Sequence, residues 1–480
     1  MKTEHAFLAG LKWVAIGRFS AQLISWVGTI YVMRTLAPQD FGLAAICSTL
    51  VAIITMGAEF GIGAGIIQAQ SLDKTQVRSV FGAALLFGLA GALLMLAAAP
   101  AMTWYFRAPE ALLLIQVSAL HLLLAPLATI PDAFLRRAMQ FRGASLVEFG
   151  SALAATLGTV SLAWAGKGVW ALVLGPLGGA AARVLLLHAL APQRLSPSLD
   201  LRPARGLIGF GLKVAVSRVG SYVFGQSDVL VAGRSLSKTA LGEYSVAMHL
   251  AMLPVSKVMN IVNTVAYPTI AQMNREGESV RPALLTGLRL FAYLLVPVLW
   301  GLATVAPWLI ELLLGAPWAG AVLPLQIVCA VLPLRLVSVL LSSVLQGLGH
   351  AGLELRNTLT GVLLLLPCFV LGAQFGAVGL AGGWVLGLPL MVALNLRRAH
   401  GVLQIGILDA LRAVGRPMLC SGLMCAGVAA AGLALGRQGS TVLGVTSMVL
   451  TGMLAYALAL WLLDRASATR LLGLARGVAH

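Results

Sequence analysis

"GLKWVAIGR", residues 10–18, returns as "GLKVAVSR", residues 211–218, and "RTLAPQDFG" at 34–42 returns as "RSLSKTALG" at 234–242. The chain therefore carries one pattern twice, at an offset of about 200 residues. How the two copies are related depends on what lies between them. Apolar runs of about 20 residues, the length a helix needs to cross a hydrocarbon core, recur along all 480 residues. They give fourteen expected spans, from about 11–34 to about 441–463. Six of these precede the second copy. An even number leaves both copies in the same orientation, so the repeat is parallel, about an axis along the membrane normal, as in transporters.

Composition agrees. The chain is 59% apolar and 10% charged with a mean hydropathy of +0.93, against roughly 25% charged for a soluble domain. Nothing resembles the ten-residue alternation of a membrane barrel, so the fold class is all-α, the other way of satisfying the backbone in lipid. The expected organisation is a lobe of spans 1–6 over residues 1–200, a second of spans 7–12 over 201–400, and residues 401–480 as an interfacial linker with spans 13 and 14. The loops are short, and no segment outside the spans is large enough to hold a catalytic core.

Loop charges set the orientation. Fifteen lysines and arginines, among them Lys74, Arg78, Arg136, Arg137, Arg281, Arg356 and Arg398, fall on alternate connections. The opposite loops hold six: Arg34, Arg107, Lys167, Arg234, Lys238 and Arg437. The positive-inside rule places the richer set and both termini in the cytoplasm. Most of the net charge of +17 is then explained by topology and anionic headgroups, with no nucleic-acid partner required. The first span is too long for a signal peptide and carries Arg18 and Gln22, so it is read as retained. Cys47, Cys329, Cys368, Cys420 and Cys425 sit in apolar spans without metal-ligand spacing. No phosphate-binding loop and no clustered catalytic motif is present, so neither a catalytic residue, a metal nor a bound cofactor is expected.

The intramembrane ions carry the functional reading. Arg18 and Arg218 hold equivalent places in the two copies. Arg18, Gln22, Ser25 and Thr29 share one helix face, as do Arg218, Ser221, Gly225 and Asp228. Lys257, Asn260, Thr264 and Tyr267 form a third stripe, and Arg335, Ser338, Ser342 and Gln346 a fourth. Charges at bilayer depth are costly and face a bundle interior or a water-filled cavity, which makes Arg18, Arg218, Lys257, Arg335, Gln22 and Asn260 candidate substrate contacts. Arg289 is a further one, although it and Arg183 lie near span ends, where snorkelling or ion pairing is the alternative. Glu59 and Asp228 either pair with these cations or bind a coupling ion. Guanidinium groups suit phosphate oxygens, so the cargo is expected to be an anion. Pro254, Pro297 and Pro333 are expected to kink their spans.

"RTLAPQDFGLAAICSTL", "GQSDVLVAGRSLSKTALGEYSVAMHL" and "NTVAYPTIAQM", in this order and spacing, resemble the polysaccharide transporter branch of the multidrug/oligosaccharidyl-lipid/polysaccharide exporter superfamily. The resemblance runs the length of the chain. It implies a multi-pass protein of the bacterial inner membrane that is a transporter and not an enzyme. The implied activity is flipping an undecaprenyl-diphosphate-linked oligosaccharide from the inner to the outer leaflet, for exopolysaccharide, capsule or O-antigen (lipopolysaccharide) synthesis. It further implies alternating access around a cavity between two lobes, and a polysaccharide polymerase and export machinery as partners beside the lipid-linked substrate and the membrane. The drive is either a proton or sodium gradient or the membrane potential. Rival readings are a multidrug cation antiporter of the same superfamily, a lipid II flippase, and a membrane glycan polymerase or ligase.

Overall fold

The computed structural model describes residues 2–58, 73–138, 140–190, 196–206, 208, 219–220, 222–223, 225–467 and 469. Among them every regular element is helical, and the helix count is roughly consistent with the fourteen expected spans. The helices are α1 (Lys2–Thr35), α2 (Pro38–Ala58), α3 (Lys74–Tyr105), α4 (Ala111–Ser118), α5 (Leu120–Arg137), α6 (Phe141–Trp164), α7 (Val169–Leu190), α8 (Ser227–Ser235) and α9 (Lys238–Glu276). There follow α10 (Val280–Leu313), α11 (Val322–Val331), α12 (Pro333–Gly347), α13 (Ala351–Gly372), α14 (Gly376–Leu403), α15 (Ile407–Leu435) and α16 (Val442–Leu463). Nine described helices, or ten counting one bent pair as a span, are long and apolar enough to cross a membrane. Many leucines face outward, such as Leu93, Leu363 and Leu454, as lipid-facing surfaces require.

Pro333 behaves as expected. It stands at the break between α11 and α12, which meet at 44°, because it cannot donate the bond that would continue the helix. By contrast α9 and α10 run unbroken through Pro254 and Pro297. Residues 401–416, read from sequence as a segment able to lie in the interface, hold the end of α14 and the first turns of α15, which continues directly into span 13. Gln404, in the left-handed conformation, ends α14, and the Asp409 carboxylate accepts the Gly406 N–H to start α15 at 3.0 Å.

The chain divides into two compact units, Met1–Gly242 and Glu243–His480. In the first, the repeat acquires a physical meaning. A Cβ added at Gly42 would collide with the carbonyl of Lys238, and one added at Gly242 would collide with the carbonyl of Pro38. Gly42 and Gly242 are repeat mates, and so are Pro38 and Lys238. The first turns of α2 and α9 thus cross symmetrically, each glycine admitting the other copy's backbone.

In the second unit the last two helices dock on α10. Val305, Met424, Val428, Val445 and Met448 form a shared core. The Trp308 indole lies against Gly432 and Gly439, which leave no room for a Cβ. Just past α16, buried Asp464 accepts hydrogen bonds from the Tyr293 hydroxyl at 2.7 Å, the Ser467 hydroxyl at 2.9 Å and the Ser467 N–H at 3.1 Å. Arg416 stands 3.6 Å away. The Tyr456 hydroxyl closes the cluster on the Tyr293 carbonyl at 2.6 Å. Burial pushes the Asp464 carboxyl up, but the bonds from Tyr293 and Ser467 and the Arg416 charge outweigh it and hold it below the usual carboxylate range.

Two predictions follow from this geometry. Gly42→Ala and Gly242→Ala should each lower the thermal midpoint of the purified protein, at a cost of about 1–3 kcal/mol from overpacking. Gly382→Ala on α14, where a Cβ meets nothing within 4 Å, should leave the midpoint unchanged or raise it. Because the Asp464 carboxyl is depressed on folding, its ionised network contributes fully above the unfolded pKa of about 3.9 and is lost as pH falls through the lower folded value. Asp464→Asn should therefore be less stable than the parent at pH 7, with the difference narrowing below about pH 4; a pH-independent difference in thermal midpoint would count against the network.

Candidate functional site

Among the residues singled out from sequence, Arg335 has the most structured surroundings. It lies half-buried in the first turn of α12. Its guanidinium carbon is 5.9 Å from the Trp384 ring centroid, and Nη1 is 4.0 Å from the Met252 sulfur. The buried Trp384 indole in turn donates its N–H to the Tyr244 hydroxyl at 2.9 Å and meets the Phe369 ring at 5.0 Å. Residues from α9, α13 and α14 thus brace one cation on α12. An aromatic face attracts a guanidinium electrostatically.

The rest of the α12 stripe is also polar in three dimensions. Gln346 donates to the Ser342 hydroxyl at 3.0 Å, and Ser342 donates to Glu354 of α13 at 2.6 Å. Ser338 Oγ is buried and finds no hydrogen-bond partner. Two further buried amides lie in this unit: Asn357 on α13, with neither amide atom bonded, and Asn395 on α14, with its oxygen unbonded. The α13–α14 hairpin is in register through Leu365 against Gly387, and eight residues further along each helix stand Asn357 and Asn395, at one level. Buried amides without partners are costly, which marks this level as one that takes water or a ligand group.

The other candidates are dispersed. Lys257 on α9 and Arg289 on α10 are exposed, both in the second unit. Gln22 is half-buried on α1 in the first unit. Asp228 is buried in the first turn of α8, where its Oδ1 accepts the Val229 N–H at 2.8 Å and its charge complements the helix dipole. Arg183, assigned to snorkelling or ion pairing, is paired with Asp132 at 3.3 Å. Arg18 is on α1 and Asn260 on α9, but their side chains lie outside the described residues, as do Arg218 and Glu59 altogether.

Tyr244, Trp384, Glu354, Asn357 and Asn395 were not found from sequence. Trp384 offered a signal: tryptophans gather at membrane interfaces, and one eight residues into an apolar helix needs an internal partner. The asparagines were single polar residues, indistinguishable in sequence from helix-packing ones.

Comparison with known proteins places this geometry in a family context. Residues 31–323 match the family model described as "Polysaccharide biosynthesis protein". The teichuronic acid biosynthesis protein TuaB of Bacillus subtilis (strain 168) is 24% identical over 425 residues, 87% of each chain. The succinoglycan biosynthesis transport protein ExoT of Rhizobium meliloti (strain 1021) is 27% identical over 309 residues, 64% of this chain and 63% of that one. The solved inward closed structure of the lipid II flippase MurJ superposes with a TM-score of 0.74 at 14% identity, covering 94% of this chain and 98% of that one. At that identity the likeness is one of fold.

The brace on Arg335 is testable by a double-mutant cycle of Arg335→Gln with Trp384→Phe. Thermal or denaturant unfolding should give a coupling of about 0.5–2 kcal/mol between the two positions. Additive effects would remove Trp384 as the partner of Arg335.

Proposed function

The chain belongs to the polysaccharide biosynthesis protein family, and from that premise we propose that it flips an undecaprenyl-diphosphate-linked oligosaccharide from the inner to the outer leaflet of a bacterial inner membrane. The observation that carries this reading is the pair of repeat-related arginines, Arg18 and Arg218, inside the first span of each copy of a transporter-type repeat. Two equivalent cations at bilayer depth suit a cargo with two phosphates. Arg335, beside the Trp384 ring, and the exposed Lys257 and Arg289 are further cations of the second unit suited to an anionic cargo. Gln22, Asn260 and the α12 hydroxyls supply hydrogen bonds suited to sugar.

A polar glycan crossing bare hydrocarbon would lose water at every hydroxyl, so a hydrated route lined by donors and acceptors is the essential contribution. Alternating access of the two repeat copies would expose it to each leaflet in turn, while the polyprenyl tail stays in lipid. No covalent step is needed. Two negative charges moving outward through an inside-negative membrane gain roughly 4.6 kcal/mol per 100 mV. Asp228 and Glu59 are the candidate sites if a proton or sodium gradient drives transport instead. The relatives' names, teichuronic acid biosynthesis and succinoglycan transport, support a polysaccharide precursor as cargo. The basic intramembrane residues weigh against a cationic drug.

Reconstitution with a defined undecaprenyl-diphosphate oligosaccharide, read by leaflet accessibility, tests the proposal. Arg218→Ala and Lys257→Ala should each slow flipping at least about tenfold, the worth of a charge-assisted hydrogen bond, with normal membrane insertion. Flipping at the parent rate in both variants would end their assignment to the route. Rescue of peptidoglycan synthesis, with no rescue of exopolysaccharide synthesis, would replace this cargo by lipid II.

A further inference from the structure

On the face opposite the arginine-rich loops, α3 ends in a turn that the α8–α9 connection grips. Arg234 donates to the Tyr105 carbonyl at 3.0 Å, and its guanidinium carbon lies 5.0 Å from the Tyr105 ring centroid and 5.9 Å from that of Trp104. Lys238 donates to the Arg107 carbonyl at 2.5 Å and pairs with Glu110 at 3.7 Å. Held in this way, Arg107 adopts a positive φ of 49°, uncommon for a residue with a side chain and found where surrounding structure over-determines it. The result is a cavity of about 410 Å³ lined by Pro100, Thr103, Trp104, Arg107, Pro109 and Arg234.

Its chemistry is one-sided. Two guanidinium groups contribute to the wall, and among the described residues neither is ion-paired; the nearby carboxylate of Glu110 goes to Lys238. The Trp104 indole is 76% exposed at the end of a membrane helix, the depth at which tryptophans mark the headgroup region. Lysine 238, by gripping the turn and neutralising Glu110, leaves the cavity with arginine charge alone. A space of this size holds a headgroup, far less than an oligosaccharide. Arginine forks match phosphate oxygens in pairs, and the stacked aromatic rings fix the direction of Arg234.

We infer that this cavity binds the phosphate headgroup of an anionic lipid at the membrane interface opposite the arginine-rich loops. Such a site needs no particular transported cargo, so it stands apart from the flippase reading. The phosphate can come from a resident phospholipid or from a polyprenyl diphosphate, and the two sources give separate arms of one experiment.

The purified full-length protein is exposed to short-chain phosphatidylglycerol, to undecaprenyl diphosphate and to phosphatidylcholine, and retained lipid is measured by native mass spectrometry. Arg107→Gln, Arg234→Gln and the double variant are compared with Lys167→Gln, which removes a charge from the same face outside the cavity. Thermal midpoints identify any variant that has lost its fold; Arg107→Gln removes only an exposed side chain and keeps the test sound if Arg234→Gln unfolds. The double variant, or Arg107→Gln alone in that case, should retain an anionic lipid at least about tenfold more weakly, with phosphatidylcholine and Lys167→Gln unaffected. Loss confined to undecaprenyl diphosphate, or shared with phosphatidylglycerol, supports the site and names its source. Parent-like retention of both anionic lipids, or an equal loss in Lys167→Gln, overturns it.

Discussion

An ion within a bilayer-spanning helix must find a partner, reach the interface or stand in water, and that constraint organises this protein. The chain answers it differently at each position. Arg183 pairs with Asp132. Asp464, just past the last span, gathers two hydroxyls, an N–H and a guanidinium. Arg335 lies against an indole that is itself tied to a tyrosine. The first two arrangements satisfy the charges completely enough to be structural. The third sets the cation beside an aromatic face, whose quadrupole attracts it.

The fold was legible because its signals are collective. Fourteen apolar runs, a charge bias across alternate loops and a 200-residue repeat each sum over many residues, and no single substitution would hide them. Even the crossing of α2 and α9 had its trace in sequence: Gly42 and Gly242 close the two copies of the "RTLAPQDFG" motif, but only coordinates show that each glycine meets the other copy's backbone. The end of the chain was less legible. Spans 13 and 14 have no repeat mates, and their place depends on one indole fitted over Gly432 and Gly439 and on a carboxylate one residue past α16. Pairings of that kind join residues more than a hundred positions apart and leave no local pattern.

Site residues divided along the same line. The cations stood out because charge is rare in an apolar span, and their helical spacing showed which polar residues share a face. The groups that tune them did not. Tyr244, Phe369 and Trp384 are ordinary apolar-span residues by composition, and only their convergence from α9, α13 and α14 identifies them as the support for Arg335. Asn357 and Asn395 come to one level through the antiparallel register of two helices, a relation invisible in either helix alone.

The distribution of charge also discriminates among cargoes of one fold. Transporter architecture of this type is shared by proteins with different cargoes, so the fold leaves the choice open. A cation held at bilayer depth attracts an anionic cargo and repels a cationic one. The chain sets Arg335 beside the Trp384 ring, 5.9 Å from its centroid, where the aromatic face attracts the guanidinium. At the C-terminal end of α3, Lys238 takes Glu110, and among the described residues Arg107 and Arg234 have no ion-pair partner. Positive charge is thereby kept at a helix end whose exposed tryptophan marks the headgroup level of the membrane.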